Sequence, residues 1–296
     1  MSSFIETIPG EYLAVASSLV YAGTLVSIRR GMVGSTPMAA LLIVNSIVAM
    51  GGLAGAAFRG TLFTVALAPF FWFALVGLLG QGIGTLTYYN GIDRMGVGRA
   101  TAIQSSSPLW GAIFAILVLG ERPGMAVLVG TVAIVGGVVL LAVPEDWDGK
   151  GGWIQSALIY PLISSVAYAF VPIFAKIAFS FQKSPYLGFG VAFSVGTLTM
   201  LMGTRIFPTG GRIRMNPKSF GIFVGAGVLN LLGAIFFWIA IVGGKVTVVL
   251  PISRLYPLWV LILGALFLGK LERITARVVT AGVLVVVGGV LTVAFG

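Results

Sequence analysis

Two stretches of this chain, about half its length apart, carry the same pattern of residues. Ser17–Ala22 reads SSLVYA and Ser164–Ala169 reads SSVAYA, while Pro-Leu-Trp occurs at both 108–110 and 257–259. The offset between the copies is 147 residues near the start, 149 in the middle and 152 near the end, as expected of a duplicated unit with small insertions in its loops. A duplicated hydrophobic unit is typical of secondary carriers, in which two repeats enclose a site near the bilayer midplane.

The composition requires lipid as the solvent for most of the chain. Of 296 residues, 58% are hydrophobic and 9% are charged, whereas soluble domains carry about 25% charged residues. Cysteine and histidine are both absent, which excludes disulfides, Cys/His metal sites, Cys or Ser-His nucleophiles and imidazole proton relays. The net charge of +10 comes from basic residues scattered through short loops, so it indicates anchors at the membrane surface rather than nucleic-acid binding.

Runs of about 20 apolar residues, the length that spans a bilayer, predict an all-α polytopic membrane protein with ten transmembrane helices. The runs cover about 12–28, 37–58, 70–92, 98–118, 124–143, 153–177, 186–206, 219–242, 246–268 and 274–295. An acidic linker at 144–152 separates two five-helix domains, 1–148 and 149–296. Because five is odd, the second repeat must enter the membrane upside-down relative to the first, so the repeats are predicted to be inverted.

The repeated motif resembles the drug/metabolite transporter superfamily, and specifically its EamA-type members. In that family the fourth helix of each repeat has a Pro followed by small and aromatic residues and then Leu-Gly-Glu, which 107–121 matches; the second copy has Lys270 after Leu268-Gly269. The resemblance covers nearly the whole chain. It implies a ten-helix, basket-like carrier with a central cavity that commonly exports small metabolites or amino acids.

Arg254 is the charged residue placed deepest in any predicted helix, about nine residues, or roughly 13 Å, inside the ninth. A central Arg is costly in lipid, so it usually faces a cavity and has a partner. One interpretation is a fixed cation for a carboxylate or phosphate of the substrate. The other is an Arg that binds carbonyls freed where Pro251 and Pro257 interrupt the helix. Its repeat counterpart, Ser105, is a second candidate for the site.

Polar side chains of the second, third and eighth helices are further candidates. Gln81 and Tyr88 lie in a stripe of the third helix that matches Asn230 and Phe237 in the eighth, and Asn45 lies in the second. A side-chain amide in hydrocarbon must find a hydrogen-bond partner, which is either another helix or a ligand. The pattern favours neither of these interpretations over the other for Gln81 and Asn230.

Two pairs of aromatic residues complete the candidate site. Tyr21 and Tyr168 occupy equivalent positions of the two repeats, as do Trp110 and Trp259. The tyrosines are expected either to line or gate a cavity or to pack with their hydroxyls bonded to a neighbouring helix. The tryptophans are expected mainly to pack, with cavity lining as the alternative.

The leading hypothesis is a secondary transporter that exports a small metabolite, an amino acid or another solute with an anionic group, by alternating access. The alternatives are a transporter of drugs or of other uncharged or cationic molecules, and a non-transporting membrane scaffold or sensor. A lipid-modifying enzyme is disfavoured, because the chain has no His, no Cys and no acidic residue inside a predicted helix. We therefore expect no enzymatic activity, no cofactor and no metal. The expected partners are a small solute and the bilayer of the cell membrane, for a monomer or homodimer whose basic loops favour both termini outside.

Overall fold

In the described part of the chain, every regular element is helical. The computed structural model describes residues 8–64, 66–107, 109–110, 113, 124–142, 156–206, 213–243, 249, 252–253, 255–271 and 274–295. The ten main helices are α1 (Gly10–Gly31), α2 (Pro37–Phe58), α3 (Leu67–Met95), α4 (Val97–Gln104), α5 (Met125–Ala142), α6 (Ile159–Phe181), α7 (Pro185–Ile206), α8 (Pro217–Gly243), α9 (Tyr256–Phe267) and α10 (Ala276–Phe295).

Helix length and composition agree with a membrane protein. Six of the helices, α1, α2, α3, α6, α7 and α8, are long and apolar enough to cross a bilayer, and α5, α9 and α10 are shorter apolar helices. Local signals fix several ends. Thr36 caps α2, with Pro37 in the first turn, and Gly96, at φ 89°, separates α3 from α4. The predicted all-α fold with ten helices is confirmed.

The middle of α3 departs from the predicted regular helix. Residues Gly77–Gly84 form a π-helical segment of eight residues, which is rare and is frequently found at functional sites. Its glycines allow two neighbouring helices to approach the backbone. A Cβ at Gly80 would lie 2.6 Å from a methyl group of Val171 in α6, and a Cβ at Gly77 would collide with the backbone of Ala192 in α7.

Helices that are equivalent in the two repeats pack against each other in opposite directions. Gly52 of α2 meets Gly190 of α7, whereas Gly55, further along α2, meets Tyr186, which comes earlier in α7. The α5–α10 pair is also antiparallel: Gly137 packs against Ala281–Val285, and Gly288 packs against Gly130 and Ile134. Repeats related by an axis along the membrane normal would keep equivalent helices parallel. The axis therefore lies in the membrane plane, and the predicted inverted repeats are confirmed.

Other contacts between the two repeats also occur in matching pairs. Helix α1 packs on α8, and its counterpart α6 packs on α3, the counterpart of α8. Ser17 of α1 donates to the carbonyl of Gly233 in α8 at 2.9 Å. In the matching pair, the hydroxyls of Thr85 and Tyr168 are 2.9 Å apart. These two helix pairs form the flanks of the site described next.

Candidate functional site

A cavity of about 170 Å³ lies at the centre of the molecule, between the α1–α8 pair and the α3–α6 pair. At about 10–15 Å³ per water, this is room for on the order of ten waters. One wall is polar and is formed mainly by Tyr21, Asn45, Gln81, Thr85, Tyr168 and Asn230. The rest of the lining is apolar and is formed mainly by Pro172, Phe179, Phe193, Phe237, Trp238 and Ile241, several of which lie on the same helices as Tyr168 and Asn230.

Three side-chain amides meet in the polar wall. Asn45 is 1% exposed and its Nδ2 donates to the backbone carbonyl of Gln81 at 2.8 Å. Because a carbonyl can only accept, this bond fixes which way the Asn45 amide points. The Asn45 Oδ1 then has no hydrogen-bond partner among the described residues. The repeat-equivalent Gln81 and Asn230 are 9% and 7% exposed and also line the cavity, so their amides are placed where a polar ligand could reach them.

Hydroxyl groups form a network beside these amides. The Tyr168 hydroxyl is hydrogen-bonded to that of Thr85 at 2.9 Å, and Tyr168 and Tyr21 both line the cavity. The Tyr256 hydroxyl donates to Gln104 Oε1, and the ring of Tyr256 meets that of Tyr21 edge-on, with centroids 5.2 Å apart. Both tyrosines predicted as a repeat-related pair are thus on the cavity wall and in contact with their neighbours. Tyr and amide groups that already hold one another in place form a preorganised surface for a ligand.

The structure places four of the candidate residues behind the wall rather than on it. Tyr88 is fully buried, and its hydroxyl is 2.6 Å from that of Thr101. Ser105 donates to the Tyr256 hydroxyl at 3.0 Å and is not among the residues that line the cavity. The indole of Trp110 donates to Ser165 Oγ at 2.7 Å, and Trp259 packs against the core cluster around Val260. Arg254 lies outside the described residues, although Ser253 and Tyr256 on either side of it line the cavity.

The π-helical segment explains why Tyr88 is displaced. A regular helix at 3.6 residues per turn would present Gln81, Gly84 and Tyr88 on one face, whereas i→i+5 hydrogen bonding places more residues in each turn. The observed cavity face of α3 is therefore Gln81, Thr85 and Tyr89. The repeat carries a signal for this face, because Tyr89 and Trp238 are separated by the same 149 residues as Gln81 and Asn230. Gln104 carries the same signal, because Ser253, 149 residues later, also lines the cavity, whereas Tyr256 has no comparable signal in the sequence.

The cavity continues into a vestibule toward one face of the molecule. Pro172, Phe179 and Ile241 line both spaces, and Lys176, Ser180, Lys183 and Val242 line the vestibule alone. This is the face at which α1 begins, because Ile239 and Ala240 of α8 pack against Leu13 and Ala14 of α1. We refer to it as the open side.

The opposite end is sealed, and we refer to it as the closed side. A continuous buried cluster that includes Leu25, Ile28, Ile92, Val260 and Leu268 fills the space between α1, α3 and α9. Beyond the cluster, Arg29 Nη1 donates to the carbonyl of Asp93 at 3.1 Å and Nη2 to that of Leu271 at 3.4 Å. A salt bridge of 3.9 Å also joins Arg29 to the Asp93 carboxylate. One side chain thus connects α1, α3 and the segment after α9.

Inverted repeats of membrane helices around a central polar cavity define the class of multi-pass membrane transporters. The sequence matches the EamA-like transporter family over residues 8–143 and 155–294. The chain belongs to this family of transporters, which are not enzymes. The resemblance read from the repeated motif is thereby confirmed; the domain limits 1–148 and 149–296 stay a prediction.

Among solved structures, one described as a crystal structure of a protein superposes with a TM-score of 0.63. The two sequences are 17% identical, and the superposition covers 95% of this chain and 95% of the other. The two proteins therefore share a fold. No curated protein matches the sequence significantly.

Proposed function

We propose that the protein is a secondary transporter of the cell membrane that exports a small solute bearing an anionic group, such as an amino acid or another organic acid, by alternating access. The observation that carries this proposal is a preorganised polar cavity between inverted repeats, which within the described residues is open on one side and sealed on the other. A passage sealed at one end binds a solute without forming a continuous channel, so movement requires the two repeats to change their relative arrangement.

The division of the cavity into polar and apolar walls supports a solute with a polar head and an apolar part. Hydroxyls and amides of Tyr21, Gln81 and Asn230 offer hydrogen bonds to the head, while the rings of Phe237 and Trp238 offer an apolar surface. An amino acid provides a donor, an anionic group and an apolar part together.

The charge of the head is inferred from Arg254. It is the only charged residue at mid-membrane depth in the predicted helices, and an Arg keeps its charge at any accessible pH. Its chain neighbours Ser253 and Tyr256 line the cavity. Charge-assisted hydrogen bonds from a guanidinium to a carboxylate are among the strongest available in a low-dielectric site.

Counterflow in proteoliposomes tests the proposal. Purified protein is reconstituted with a panel of unlabelled amino acids and organic acids inside, and uptake of the labelled form of each is measured. Transient accumulation of an anionic or zwitterionic solute is expected. Counterflow only of uncharged or cationic amphiphiles would replace the anionic solute with the drug-like alternative, and a complete absence of counterflow with folded protein would favour the scaffold or sensor.

A further inference from the structure

Repeat-equivalent residues are in opposite environments on the two sides of the cavity. Three residues that seal the closed side, Leu25, Tyr88 and Ile92, are fully buried. Their counterparts, at the repeat offsets of 147 for α1/α6 and 149 for α3/α8, line the open cavity: Pro172, Phe237 and Ile241. The two halves therefore carry the same elements in two different conformations, one closed and one open.

The residues equivalent to Arg29 and Asp93 lie on the open side, where they do not make the contact that Arg29 and Asp93 make. At the same offsets, Arg29 corresponds to Lys176 and Asp93 corresponds to Val242. Arg29 donates to the backbone carbonyl of Asp93 at 3.1 Å. Lys176 and Val242 instead both line the vestibule, and the structure shows no hydrogen bond or ion pair for Lys176 within the described residues.

A second pair of contacts is made in one half and unmade in the other. Ser17 of α1 donates to the carbonyl of Gly233 in α8. The equivalent residues are Ser164 in α6 and Gly84 in α3, but Ser164 Oγ is buried with no partner among the described residues. Gly84 ends the π-helical segment, and its carbonyl accepts from Thr87 instead. The corresponding stretch of α8 is regular α-helix, so the difference between the halves reaches the cavity wall.

We propose that Lys176 is the gate residue of the open side. When the repeats exchange conformations, its ammonium donates to the Val242 carbonyl as Arg29 now donates to that of Asp93, and Ile241 becomes buried like Ile92. The inference rests on the proposed alternating-access function and assigns one of its two gates. Lys176 is a point charge and Val242 has no carboxylate, so this gate is weaker than the Arg29–Asp93 gate. The stronger Arg29–Asp93 gate favours the conformation seen here, in which the closed side is sealed.

The missing carboxylate suggests the experiment. The chain has no native cysteine, so single cysteines report accessibility without background. Ile241→Cys reports the open side and Ile92→Cys reports the closed side, each through its rate of reaction with a charged thiol reagent in detergent solution. Val242→Asp supplies Lys176 with a partner. It is expected to slow labelling at 241 by about two- to five-fold, the range of a solvent-accessible ion pair, and to accelerate labelling at 92.

Matched variants separate the gate from other effects. Val242→Asn introduces a side chain with the shape of Asp but without its charge, and it should leave both labelling rates near those of the protein with Val242. Combining Lys176→Met with Val242→Asp should return both labelling rates to those values. Slowing at both reporters, or slowing that persists without Lys176, would overturn the inference. If Val242→Asp does not fold, Lys176→Met alone carries the test: labelling at 92 should fall at least two-fold, and an unchanged rate would overturn it.

The labelling experiment is independent of the solute. Normal counterflow by the parent protein together with unchanged labelling rates in Val242→Asp would contradict the gate inference and leave the proposed function intact. Opposite changes in the labelling rates at positions 241 and 92, without counterflow of any solute, would support the gate and contradict the proposed transport.

Discussion

The side-chain amide of Asn45 donates a 2.8 Å hydrogen bond to the backbone carbonyl of Gln81. This bond joins α2 to the π-helical part of α3, where the spacing of backbone hydrogen bonds differs from that of a regular helix. It also turns the Asn45 Oδ1 away from Gln81, where it has no partner among the described residues. A single side chain therefore supports the irregular backbone while its own Oδ1 stays buried beside the cavity.

We expect Asn45→Asp to harm the protein more than Asn45→Ser. An ionised Asp cannot donate to the Gln81 carbonyl, and it places a negative charge beside a carbonyl in a buried site, whereas Ser retains one donor. Loss of a buried hydrogen bond costs about 1–3 kcal/mol when its partner is left unsatisfied. Thermal unfolding of the purified variants measures this, and an Asp variant as stable as the Ser variant would show that the bond is unimportant.

The glycines of α3 provide a second prediction, about packing. Gly80→Ala is expected to destabilise the protein by about 1–3 kcal/mol, because its Cβ would lie 2.6 Å from Val171 Cγ2 of α6. Gly225→Ala in α8 is the matched control, since its Cβ would have nothing within 4 Å and Ala favours a helix. The midpoint of thermal unfolding is the measurement.

A second substitution checks the cause of that effect. Val171→Ala removes the methyl group that the new Cβ would strike, so the double variant Gly80→Ala/Val171→Ala should recover part of the lost stability. Strictly additive losses would mean that Gly80 is needed for the π-helical backbone itself and not for contact with α6.

The extent to which the sequence predicts this molecule can be followed along α3. Duplication and apolar run length predict ten helices and the inverted arrangement, because both depend on counting residues and on the thickness of the bilayer. The pairing of Gln81 with Asn230 correctly places both on the cavity wall, although their binding of a solute stays a prediction. A regular period of 3.6 residues per turn also predicts Tyr88 on this face, which is wrong. The π-helical segment, which lies against α6 and α7, brings Thr85 and Tyr89 to the wall instead.

The hydroxyl of Tyr168 gives a third prediction. Tyr168→Phe removes the hydroxyl that is bonded to Thr85 at the cavity wall and should weaken binding of the transported solute by about two- to ten-fold, as expected for loss of one hydrogen bond. Tyr12→Phe is the control, because Tyr12 is 69% exposed and does not line the cavity. Solute-dependent protection against thermal unfolding gives the affinity. An unchanged affinity in Tyr168→Phe would reduce this tyrosine to a packing role.

The last prediction concerns Arg254 and the charge of the solute. If its guanidinium holds an anionic group, Arg254→Gln should weaken binding of the anionic solute far more than it lowers the yield of folded protein. A buried charge left without its counter-ion loses several kcal/mol, on the order of 2–5, which is at least ten-fold in affinity. Arg254→Lys should rescue only part of this loss, because Lys keeps the charge but lacks the planar fork that binds both oxygens of a carboxylate.

Arg277 offers a control for this prediction, since its Nε donates to the Leu140 carbonyl at 2.7 Å, away from the cavity lining. Arg277→Gln should lower stability without a selective loss of affinity. The decisive comparison is therefore the ratio of affinity to folded yield in the two Gln variants. Equal ratios would mean that Arg254 has a structural role, as Arg277 has beside α5, and the anionic-solute proposal would then fail.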